Sequence, residues 1–154
     1  MTLANKIATG FVDAGISAYL YWEGFEINQN QSASHLIDTI GNDPEPSGVF
    51  YAFSMWSRFI RPGAQRVKTT GSLANVTTAA FQNPDRSVIV VFTNYGSGSQ
   101  NADVATFALR AGFTQAWLTD NTHKVAPIFV TEDHSLLKVT IPAHTIVTVN
   151  FGSE

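Results

Sequence analysis

The 154-residue chain contains no cysteine. That one absence removes disulfides, thiolate metal sites and thiol nucleophiles together. Charge is also scarce: 14% of residues are charged and the formal net charge is -3. A phosphate backbone or an anionic lipid needs a basic face, so neither nucleic acid nor a membrane surface is an expected partner. No run approaches the roughly 20 apolar residues of a spanning helix, and the first residues lack the basic, apolar, small-residue order of a signal peptide. His35, His123, His134 and His144 are scattered, with no pair at metal-ligand spacing, so no metal and no other cofactor is expected. Serines abound, yet no Gly-x-Ser-x-Gly turn occurs, and GSGS at 96–99 lacks a phosphate-loop lysine. It reads as a hairpin loop.

What is present favours a globular core, with 44% hydrophobic and 12% aromatic residues. In TLANKIATGFVDAG, Leu3, Ile7 and Phe11 recur every four residues beside Ala4, Ala8 and Val12, which predicts an amphipathic helix capped by Thr2 and ended by Gly15. ISAYLYW then turns β-branched and aromatic and reads as a strand buried on both faces. A polar segment rich in Asn, Ser, Gly and Pro follows, too long for an ordinary connection. SGVFYAFSMWSRFIRPG returns to helical spacing, with Val49, Phe50, Phe53, Trp56, Phe59 and Ile60 on one face, Ser47 as cap and Arg61-Pro62-Gly63 as stop. Arg61 is expected to meet the last helical carbonyls at that corner. From about residue 65, short runs rich in Val, Thr, Ile and Phe alternate with turn residues such as NPDR, NYGSGSQN and EDHS, the spacing of an antiparallel sandwich.

One strand and two helices cannot cover their own apolar faces. Helix, strand, long loop at the strand's C-terminal end and helix together have the layout of one slice of an α/β barrel. The expected architecture is therefore an α/β fragment over residues 1–63, the last helix-strand-helix of a (β/α)8 barrel, followed by an all-β antiparallel sandwich over residues 64–154. Barrels build their sites where strands end, which singles out Tyr21, Trp22 and Glu23: an aromatic can stack on a sugar ring and a carboxylate can accept its hydroxyls. Glu23 and Glu26 share one loop, without the two rigid elements needed to hold a retaining pair roughly 5 Å apart, and are not expected to be an acid and nucleophile. His35 and Asp38 in the long loop are candidates to meet a ligand, but read first as solvated loop. Asn30-Gln31-Ser32 and Asn75-Val76-Thr77 fit the N-glycosylation acceptor pattern, which a chain rich in Asn, Ser and Thr matches readily.

SAYLYWEG, then GVFYAFSMWSRFIRPGAQRV, then the β-rich tail ending VTIPAHTIVTVNF resemble the C-terminal portion of glycoside hydrolase family 30, in its fungal xylanase-like branch. The resemblance implies a secreted enzyme with a barrel fused to a side sandwich, hydrolysing a plant-wall polysaccharide such as xylan with retention. It places both catalytic glutamates on barrel strands that would precede residue 1, so this chain carries no catalytic residue and alone is expected to be inactive. Its implied partners are the polysaccharide or oligosaccharide substrate and the missing N-terminal barrel portion. Tyr21, Trp22 and Glu23 then line the substrate cleft. The alternative is a non-catalytic carbohydrate-binding or structural β-module, with Trp117 or Tyr95 as a stacking platform.

Overall fold

A computed structural model describes residues 1–25, 35–40, 43–105 and 113–152. Helix α1 (Thr2–Val12) opens the chain and α2 (Gly48–Ser57) follows a small hairpin of β1 (Ile37–Ile40) and β2 (Asp43–Pro46). The sandwich comprises β3 (Gln65–Val67), β4 (Val76–Gln82), β5 (Val88–Asn94), β6 (Gln100–Ala105), β7 (Thr114–Thr119), β8 (Ala126–Ile128), β9 (Thr131–Asp133), β10 (Leu136–Ile141) and β11 (Thr145–Phe151). Six strands form one sheet in the order β3-β4-β5-β11-β7-β8, and three form the other in the order β6-β10-β9. Every described strand pairing is antiparallel. A helical lead-in followed by an antiparallel sandwich is the class expected from the sequence.

The larger sheet is the middle of three layers. Side chains alternate across a strand, so β5 sends Ile89 and Val91 toward the helices, and Val90 and Phe92 toward the smaller sheet. On the helical side Ala4, Ile7 and Ala8 of α1 and Ala52, Met55 and Trp56 of α2 pack with Phe81, Val91 and Ile146. The buried stripe of α2 is thus rotated from the expected one, with Val49, Phe50 and Phe53 only half-buried. Phe11, Trp56 and Phe81 tie α1, α2 and β4 together at ring-centroid separations of 5.4 to 6.4 Å. On the other side Val90, Phe92, Val147 and Val149 meet Leu137, Val139 and Ile141 of β10.

The ends of the helices differ in part from expectation. Ser47 caps α2, its hydroxyl accepting from Phe50 N at 3.2 Å, which satisfies an otherwise orphaned donor. Thr2 does not cap α1; it is the first helical residue, and Met1 precedes it without a side-chain cap. The corner after α2 is closed by Asn83, not by Arg61. Asn83 Nδ2 donates to Phe59 O at 2.9 Å and to Ser87 Oγ at 3.0 Å, while its Oδ1 accepts from Arg61 N at 2.9 Å. GSGS is not a hairpin loop either: β5 and β6 belong to different sheets, so residues 95–99 carry the chain between them. Buried Asn94 holds that crossing, donating to Gly98 O, Ile141 O and Pro142 O and accepting from Gly96 N.

Residues 16–22 depart from the expected buried strand. They join no sheet, and Leu20 and Trp22 are 93% and 85% exposed. The residues have strand-forming composition, but a ladder needs a second strand beside it, and none of the described strands lies alongside.

Candidate functional site

The end of this unpaired segment, the return of the long loop and the start of α2 meet at one place. Leu36 N donates to Glu23 O at 3.1 Å and Ile37 N to Gly24 O at 2.9 Å, and Phe25 bridges Ile37 in parallel. Ser47 N donates to Leu36 O at 2.9 Å and Ser47 Oγ to His35 O at 2.6 Å. The cap of α2 therefore also anchors the loop, and the loop anchors residues 23–25.

Tyr21, Trp22 and Glu23 lie together here but in different settings. Tyr21 is half-buried, its ring 6.4 Å from that of Phe53 on α2. Burial pushes its hydroxyl pKa up from 10.0, and the neighbouring Tyr19 adds to this. Trp22 projects almost wholly into solvent, and the Trp22–Glu23 peptide is cis. Glu23 is partly exposed, its Oε1 3.3 Å from His35 Nε2. His35, expected in a solvated loop, is instead 5% exposed. Nothing local in the sequence signals this pair, because its members stand at opposite ends of the long loop, joined there by the Leu36 and Ile37 hydrogen bonds. Asp38 is half-buried on β1, opposite Glu45. Glu26 and the Asn30 acceptor triplet lie outside the described residues.

The remaining candidates are dispersed. Trp117 is half-buried against Phe59, ring centroids 4.4 Å apart, so it belongs to the helical side of the sheet and not to an outer platform. Tyr95 is 46% exposed at the start of the sheet crossing. His123 and Asp120 share a turn in which Asp120 Oδ1 accepts from Thr122 N and His123 N at 2.7 Å each. Burial alone would raise the Asp120 carboxyl; those backbone donors and the side chains of His123 and Thr122 override it and hold the pKa at about 2.

An exposed aromatic and a carboxylate thus stand together at the end of residues 16–22, which pair with none of the described strands. Residues 63–149 match the family model described as the glycosyl hydrolase family 30 beta sandwich domain. The chain belongs to glycosyl hydrolase family 30. It superimposes on the catalytic domain of a family 30 xylanase C from Talaromyces cellulolyticus with a TM-score of 0.88 and 34% identity, covering 99% of this chain and 34% of that one. A subfamily 8 xylanase from Clostridium acetobutylicum gives a TM-score of 0.82 at 22% identity, over 98% of this chain and 38% of that one, a likeness of fold. A putative glucosylceramidase 1 of Caenorhabditis elegans is 43% identical over 51 residues, 32% of this chain and 10% of that protein. The chain thus spans about a third of the length of these two solved structures.

Proposed function

We propose that the chain forms one wall of the substrate cleft and the side sandwich of a retaining glycoside hydrolase acting outside the cell on a plant-wall polysaccharide, xylan foremost. Residues 1–63 are then the last part of its barrel and residues 64–154 its sandwich. The bond-breaking pair belongs to the preceding part: one glutamate attacks the anomeric carbon while the other protonates the leaving oxygen, and the second then activates water to release the sugar. Trp22 stacks on a sugar ring, Glu23 accepts sugar hydroxyls, and Tyr21 packs behind them on α2.

The observation that carries this reading is the exposure of Leu20 in a segment that pairs with none of the described strands. Apolar area left in water costs about 25 cal/mol per Å² relative to burial, and a neighbouring barrel strand would cover it. The likeness to the Talaromyces cellulolyticus xylanase supports the substrate class.

The test has two arms. The 154-residue chain alone is expected to release no reducing sugar from xylan. A chimera in which it replaces the matching third of the Talaromyces cellulolyticus xylanase is expected to hydrolyse xylan with retained anomeric configuration. Hydrolysis by the isolated chain, or a folded chimera inert on xylan and on other β-linked polysaccharides, would overturn the reading.

A further inference from the structure

We propose that His35 is a positioning residue: its ring holds the Glu23 carboxylate in the orientation that receives sugar hydroxyls beside Trp22. The inference rests on the cleft-wall reading above and adds to it a residue that touches no substrate.

Glu23 follows a segment that pairs with none of the described strands. Three of the contacts that place it arrive from the far side of the loop. Two are main-chain bonds, Leu36 N to Glu23 O and Ile37 N to Gly24 O; these hold the backbone and leave the side-chain torsions open. The third contact is that of His35 Nε2 with Glu23 Oε1 at 3.3 Å. His35 is itself well placed to act as a fixed arm. It is 5% exposed, and its carbonyl accepts the Ser47 hydroxyl at 2.6 Å, so it is tied to the first turn of α2. A rigid helix thus reaches the carboxylate through one buried ring. A glutamate has three side-chain torsions, and restricting them before the ligand arrives removes an entropy cost from binding.

Two measurements test this. In the 154-residue chain, the His35 ring 15N resonances are expected to shift on Glu23→Gln and to be unmoved by Asp120→Asn; resonances insensitive to Glu23→Gln would overturn the pairing. In the chimera, His35→Ala is expected to raise KM for a defined xylo-oligosaccharide about tenfold, as loss of a charge-assisted hydrogen bond would, with kcat within about twofold. His35→Gln, which keeps a donor at similar reach, recovers most of the loss. Because His35 acts through Glu23, the double variant with Glu23→Gln should bind no more weakly than Glu23→Gln alone. Additive effects, no rescue by glutamine, or a fall in kcat with KM unchanged would show a purely structural residue and overturn the inference. A chimera inert before any substitution overturns the cleft reading, while the resonance measurement still reports on the pair itself.

Discussion

Asn83 shows how much one side chain can hold together in this molecule. Its amide serves Phe59 O, Ser87 Oγ and Arg61 N, joining the end of the helical lead-in to the first sandwich hairpin. Removing it would strand a carbonyl and an N–H in a nearly closed site. Asn83→Ala is therefore expected to cost about 2–4 kcal/mol, since each unpaired buried group costs about 1–3, read as a lower urea midpoint with an unchanged slope. Asp120 makes a different prediction. Its carboxyl is held at about 2, below the ordinary aspartate value of 3.8, so its contribution is full above the unfolded value and disappears as pH falls through 3.8 to 2. Partial exposure limits the effect to roughly 1–2 kcal/mol. Asp120→Asn should flatten the stability–pH curve in that window and leave the shape above pH 5 unaltered.

Among the elements, the β9–β10 hairpin carries a conformational cost in its turn. His134 and Ser135 have φ of 50 and 62, the paired left-handed residues of a two-residue turn, a geometry that favours Asn-Gly. Ser135→Gly should therefore raise stability by about 0.5–1 kcal/mol, measured as a higher Tm. The same hairpin shows what the sequence leaves unread. The long strands β4, β5, β10 and β11 were legible because β-branched residues alternate or run on between clear turn residues. Strand β9 is Thr131-Glu132-Asp133 and β2 is Asp43-Pro44-Glu45-Pro46, compositions that ordinarily mark turns. They are strands because a partner pairs with them, and pairing is a non-local fact. Residues 16–22 fail in the opposite sense, having strand composition without a described partner. Tyr21, Trp22 and Glu23 were legible as a group because they end an apolar run. His35 was not, because its partner is brought to it only by the loop's return.

At the scale of the whole molecule, the two halves of the chain share one apolar layer: Ile7 and Met55 from the lead-in pack with Phe81, Val91 and Ile146 from the sandwich. Ile7→Ala is accordingly expected to cost about 2–4 kcal/mol in a single cooperative transition. Residues 64–154 made alone should bind a hydrophobic dye and unfold at a lower urea concentration than the intact chain. Separate transitions for the two halves, or a truncated sandwich as stable as the parent, would contradict a shared core. The middle sheet thus bears on how such enzymes can be recombined. A splice at Gly63 falls at an inviting bend in the chain, yet it would peel the oily backing from β4, β5, β7 and β11 at once. A graft that travels with both coils, joined ahead of Thr2, carries its own insulation to the new host.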